Sequence, residues 1–139
     1  MEYIIVSACL LGVNCKYDGG NNLNEKILSL TIDKILIPVC PEQLGGLPTP
    51  RDPAEIKCGK VVTGSGMDIT ENFLLGAAET LKIARLSGCN KAILKQRSPS
   101  CGKGQIYDGN HQHNLISGNG ITTDLLLQNN FEILTEEDL

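Results

Sequence analysis

The chain has 139 residues, enough to bury one core, so residues 1–139 read as a single domain. Twelve lysines and arginines against sixteen acidic residues leave a net charge of −4, which argues against broad nucleic-acid affinity and offers no basic stripe to a membrane. Aromatic residues make up 4% and tryptophan is absent, so the core must rest on Ile, Leu, Val and Ala.

In chain order, Tyr3-Ile4-Ile5-Val6-Ser7 predicts a buried strand: a short β-branched run that stops at small residues. No basic leader or membrane-length apolar run accompanies it, which predicts a cytoplasmic protein. A Gly- and Asn-rich loop follows from Leu11 to Asn24, then a short helix over Asn24 to Leu30. Residues 34–39 predict a second buried strand. Pro41 to Pro53 carries four of the six prolines and Gly45-Gly46, and predicts an ordered loop or lid too irregular for a helix. Residues 55–63 predict a hairpin turning at Cys58-Gly59-Lys60. The strongest helical pattern spans Thr70 to Leu86, with Asp68 or Thr70 as its cap and Gly88 beyond its end. Residues 91–95 predict a further strand. A last helix starts at Thr122 or Thr123 and stops at Asn129-Asn130, and Phe131 to Leu134 forms the last strand. The acidic tail Glu136-Glu137-Asp138 is expected in solvent.

Strands alternating with helices predict βαβ units, hence a three-layer α/β/α, Rossmann-like domain around a mainly parallel sheet. Right-handed crossovers gather the strand-to-helix loops on one edge, where ligands of such sheets bind. Cys9, Cys40 and Cys101 all follow apolar runs and fall on that edge.

Six cysteines in a reducing compartment favour metal or catalytic roles over disulfides. Cys89 reads as a small packed residue and Cys58 as a turn residue. Cys9 and Cys15 share one glycine-containing loop able to serve a metal or cluster, although no CxxC pair occurs anywhere. Tyr17-Asp18-Gly19 forms a turn or touches a ligand. Glu42, two residues past Cys40, is a candidate general acid or base if burial raises its pKa; the alternative is a solvated carboxylate. Arg51 is expected to pair structurally, with Glu55 as the partner, rather than clamp an anion. Ser98 and Ser100 lack a G-x-S-x-G elbow, so a proton-donating or substrate-orienting hydroxyl fits better than a nucleophile. Gly102 lets the backbone approach an inorganic cluster closely. His111 and His113 could share a face toward zinc, but no third ligand is suitably spaced and an exposed turn is expected. Gly118-Asn119-Gly120 reads as a tight turn before a helix rather than a phosphate site.

Taken together, Ser7-Ala8-Cys9-Leu10-Leu11-Gly12, Tyr17-Asp18-Gly19, Pro38-Val39-Cys40-Pro41-Glu42, Pro50-Arg51, Pro53-Ala54-Glu55-Ile56, Ser98-Pro99-Ser100-Cys101-Gly102, Ile106-Tyr107-Asp108-Gly109 and Gly118-Asn119-Gly120-Ile121-Thr122 resemble a bacterial domain family that includes the thiouracil desulfidases. The resemblance implies a [4Fe-4S] cluster held by three cysteines with one iron open, and hydrolytic, non-redox removal of sulfur from a thiolated pyrimidine. It matches four cysteines, Cys9, Cys15, Cys40 and Cys101, one more than three. Glu42 and Ser98 match the proton-transfer positions. His111 departs from the pattern, which leads one to expect Phe there. Thiolates suit such clusters, and a missing ligand leaves a Lewis-acid site. The rival from another class is a zinc or iron–sulfur sensor module without turnover.

Overall fold

The structure is a computed structural model and describes residues 1–139. Its elements run β1 (Glu2–Ser7), α1 (Glu25–Leu28), β2 (Lys34–Val39), α2 (Pro41–Leu44), β3 (Ala54–Lys57), β4 (Lys60–Thr63), α3 (Thr70–Leu86), β5 (Lys91–Leu94), β6 (Gln105–Tyr107), β7 (Leu115–Ser117), α4 (Ile121–Gln128) and β8 (Glu132–Thr135). Four of the strands form one parallel sheet in the order β2-β1-β5-β8.

Successive side chains on a strand face opposite ways, and β1 uses both sides. Ile5 joins Val39, Ala92, Leu94 and Ile133 under Ala84 of α3 and Leu126 of α4. Ile4 and Val6 join Ile93 under Ile27 of α1 and Leu10 of a 3₁₀ turn, Ala8–Leu11. The sheet is therefore covered on both faces, as the strand–helix alternation predicts. A separate cluster of Val61, Ile69 and Phe73 roots the β3–β4 hairpin on α3.

Local chemistry sets the helix ends. Asn24 Oδ1 accepts the Ile27 amide and starts α1. Asp68 Oδ1 accepts both the amide and the hydroxyl of Thr70 at the start of α3. Gly88, at φ 73°, stands just past its end, in a conformation that costs glycine little.

Three expectations are corrected. The 41–53 segment is not wholly irregular: Pro41–Leu44 makes one helical turn, with proline at its start, where a missing N–H costs nothing. The turn expected around His111 and His113 is the connection of an antiparallel hairpin, β6–β7, whose strands were not expected. The acidic tail is docked rather than free. Glu136 Oε2 lies 2.8 Å from Lys95 Nζ, and Glu137 Oε2 lies 2.7 Å from Arg97 Nη2.

α2 lies against α3 where two glycines meet. A Cβ on Gly45 would strike the Asn72 carbonyl, and one on Gly76 would strike the Pro41 carbonyl. This backbone-to-backbone approach fixes the start of α2, and with it Cys40 and Glu42.

Candidate active site

The chain leaves β1 toward β2 on one side and later adds β5 and β8 on the other. The direction of winding thus reverses between β1 and β5, where parallel sheets bind ligands beyond their carboxyl ends. A cavity of about 600 Å³ opens there. Cys40 follows β2, Cys9 follows β1 and Cys101 follows β5, so three neighbouring strands deliver one thiol each to its wall. Cys15 reaches the same cavity from the loop after the Ala8–Leu11 turn. Cys58 and Cys89 do not line it. Cys58 is exposed in the hairpin turn at φ 51°, and Cys89 packs in the main core.

The Ser98–Gly102 loop is held by the start of α4. The amides of Ile121 and Thr122 donate to the carbonyls of Pro99 and Ser100 at 2.9 and 2.8 Å, and Gly120 N donates to Gly102 O at 2.8 Å. Thr123 Oγ1 donates to Cys101 O at 2.7 Å, and the Ser100 and Thr122 hydroxyls share a 2.7 Å hydrogen bond. Helix amides that would otherwise lack partners thus clamp the cysteine loop. The same bonds occupy the helix terminus, and Gly118-Asn119-Gly120, expected as a tight turn, is instead extended backbone whose Gly118 and Gly120 amides donate to the carbonyls of Gly104 and Gly102.

The two serines separate in role. Ser100 is buried and structural. Ser98 lines the cavity, and its Oγ accepts the amides of Ser100 at 3.1 Å and Cys101 at 3.0 Å. With its lone pairs so engaged, the hydroxyl proton is what Ser98 has to offer a ligand.

Glu42 also lines the cavity, as neither a solvated carboxylate nor an isolated buried one. Arg51 Nε lies 3.0 Å from its Oε1, and both side chains are largely buried. Arg51 also donates to Thr49 Oγ1 at 2.8 Å and to Cys15 O at 2.8 Å. Arg51 therefore pairs structurally, as expected, but with Glu42 instead of Glu55. It ties the Cys15 loop to the carboxylate.

The thiols differ electrostatically. The neighbouring Cys15 thiol pulls the Cys40 pKa well below the ordinary thiol value, helped by the Gln43 amide and Arg51, while the Cys15 value rises. Cys40 Sγ lies 3.8 Å from the Cys15 carbonyl oxygen. Burial pushes the Cys101 thiol up to about 12 and also raises Cys9, against the pull of Asn22 and Lys95. Such thiols give up their protons to a bound metal rather than to water.

The far wall holds residues whose place in the cavity no local pattern announces. Glu55, Tyr107, His111 and His113 all line the cavity. The expected exposed histidine turn holds for His113 and is corrected for His111, whose side chain is 29% exposed with Nδ1 3.6 Å from Glu55 Oε2. Two signals were present in the chain: the only two histidines sit together, beside Tyr107 and a glycine turn. Nothing local showed that Glu55, half the chain away, would hold them.

A sequence model of the 2-thiouracil desulfurase family matches residues 4–138. The uncharacterized protein YbbK of Bacillus subtilis (strain 168) is 43% identical over 146 residues, covering 98% of this chain and 97% of its own length. The solved structure of a [4Fe-4S]-dependent thiouracil desulfidase, TudS (DUF523Vcz), superposes with a TM-score of 0.95 at 42% identity. It covers 100% of this chain and 93% of its own.

Proposed function

The chain belongs to the 2-thiouracil desulfurase family, and from that premise we propose how its cavity removes sulfur from a thiolated pyrimidine. The activity is iron–sulfur-dependent desulfidation of thiouracil. The donor set fits the group. Four thiols line one cavity, yet no three Cys, His, Asp or Glu side chains gather tightly enough for a single metal ion. Thiolates on a cubane each bind a different iron and so stand further apart than ligands of one ion. An all-thiol donor set of this kind suits an iron–sulfur cluster.

Cys9, Cys40 and Cys101 would hold the cluster. Cys9 and Cys40 follow the ends of β1 and β2, and Cys101 sits in the loop after β5 that α4 clamps, whereas Cys15 lies in the loop beyond the Ala8–Leu11 turn. Three protein ligands leave one iron open, and when bound the cluster supplies there a Lewis acid for the departing sulfur.

The reaction needs no electrons. Water oxygen bonds to the carbon that carries sulfur, the carbon–sulfur bond breaks, and sulfur leaves as sulfide. Glu42, an ion-paired carboxylate in the cavity wall, takes the proton from the attacking water. Glu42 then gives that proton to the departing sulfide, and Ser98, with its acceptor sites filled by two amides, donates a hydrogen bond that orients the substrate ring. Arg51 holds Glu42 in place.

The substrate is a small thiolated base, and no helix is long and apolar enough to cross a membrane. All six cysteines are free, which suits the reducing cytoplasm we assign to the protein. The observation that carries this reading is the meeting of three strand-end thiols with Glu42 and Ser98 in one cavity. Anaerobic reconstitution followed by iron and sulfide analysis, Mössbauer spectra and assay on 2-thiouracil tests it. Cluster-loaded protein is expected to release uracil and sulfide in equal amounts. Stoichiometric zinc without iron, or a cluster without turnover of any thiolated base, would contradict it.

A further inference from the structure

His111 Nε2 is the one buried side-chain nitrogen or oxygen in the protein without a hydrogen-bond partner. Buried polar atoms are nearly always paired, so an orphan in a cavity wall points to a missing ligand. The residue is held firmly in that position. Glu55 Oε1 accepts the amides of Gly109 at 3.0 Å and His111 at 3.1 Å, and Lys57 Nζ donates to Asn110 Oδ1 at 2.9 Å. His111 itself stands at φ 56°, in the left-handed region that few non-glycine residues adopt. The other Glu55 oxygen faces Nδ1 at 3.6 Å. A carboxylate on that side favours the tautomer protonated at Nδ1, which leaves Nε2 with a lone pair and makes it an acceptor.

We propose that His111, held by Glu55, accepts a ring N–H of the thiolated pyrimidine through Nε2 and so selects bases that present that N–H. The inference rests on reading this cavity as the thiolated-base site. Pyrimidine lactams suit it chemically, because they carry N–H donors on the ring beside their exocyclic oxygen or sulfur. A polar atom desolvated by the wall discriminates strongly against a ligand that leaves it unpaired. His111 is thus a specificity residue; the protons of the reaction remain with Glu42.

Calorimetric binding of uracil, 1-methyluracil and 3-methyluracil to cluster-loaded protein reads this apart from turnover. Wild type should bind one of the two methylated bases on the order of tenfold or more weaker than uracil. His111→Phe keeps a ring of similar bulk but no acceptor, and should weaken uracil by a similar factor while losing the discrimination. His111→Asn, which tolerates positive φ, is the safer fold and should do the same. Variants that bind uracil as wild type does, or keep its preference among the three, would overturn the proposal. So would a wild type that binds none of them yet desulfidates 2-thiouracil. If uracil binding depends on His111 but 2-thiouracil yields no sulfide, His111 keeps its role and the desulfidase reading alone falls.

Discussion

Cys9, Cys40 and Cys101 stand on or next to a four-stranded sheet, whereas His111 stands on a loop tied down by two side chains of β3, Glu55 and Lys57. The first wall of the cavity is braced from behind. β1 is buried on both sides, the Cys101 loop is bonded to the start of α4, and Cys40 begins a turn lying backbone to backbone on α3. The second wall is a short hairpin and its loop, joined to β3 through Glu55. Reaction chemistry that must place several thiols, a carboxylate and a hydroxyl together needs the first kind of support. Selection among similar bases can be built on the second, where a change of one side chain leaves the reaction centre standing.

The largest expected effect separates the strand-end thiols from the others. Cys9→Ser, Cys40→Ser and Cys101→Ser should each lose the cluster and its visible absorption after anaerobic reconstitution. Cys15→Ser should keep it, as should Cys58→Ser and Cys89→Ala. A colourless Cys15 variant would move that thiol from the loop into the ligand set. Loss of colour in the Cys58 or Cys89 variant would mean the site is drawn in the wrong place.

Next come Glu42 and Ser98, the proposed proton-handling and substrate-orienting residues on the braced wall. Glu42→Gln and Ser98→Ala should retain a normal cluster by iron content and spectrum while kcat falls on the order of a hundredfold or more. Near-wild-type rates in both would make them bystanders. A Glu42 variant that cannot hold the cluster would make the carboxylate a ligand.

The bracing itself is tested at the α2–α3 contact. Gly76→Ala sets a methyl against the Pro41 carbonyl, so α2 must shift. Overpacking of this kind costs about 1–3 kcal/mol, and thermal melts should fall by several degrees, with activity falling too because Cys40 and Glu42 move. An unchanged melt with full activity would show that the glycine contact is not what positions α2.

The smallest effect lies far from both walls. The Thr70 hydroxyl and amide hold the Asp68 carboxyl below the usual carboxylate range. Its ionised form is favoured by folding, so its contribution is complete above the ordinary carboxylate pKa and is lost as pH falls toward the depressed value. Asp68→Asn should lower the melting temperature slightly at neutral pH and leave it nearly unchanged in acid. An equal loss at both would assign the residue a role other than its charge.

The sheet-edge wall was readable in the chain because its rules are local. An apolar β-branched run marks a buried strand, winding puts its end at the ligand edge, and a cysteine there is already half placed. The helix Thr70–Leu86 and the Cys58-Gly59 turn were legible for the same reason. The other wall depends on pairings between distant residues. Gln105–Tyr107 and Leu115–Ser117 are three-residue strands, too short for an alternation to show, and Leu115 and Ile116 stay exposed. Glu55 gripping residues 109–111, Arg51 choosing Glu42, and Glu136 docking on Lys95 are each settled by three-dimensional proximity. No periodicity in the sequence encodes them. The chain already marked Cys9, Cys40 and Cys101 as following apolar runs and Cys15 as a loop residue; the strand order β2-β1-β5 adds that the three runs are neighbours.

Iron anomalous diffraction from crystals of the anaerobically reconstituted protein tests the central claim most directly. The account predicts iron bonded to the sulfurs of Cys9, Cys40 and Cys101, with Cys15 Sγ unbonded and one iron facing Glu42 and Ser98. Iron held by Cys15, by all four thiols, or anywhere away from this sheet edge would contradict it.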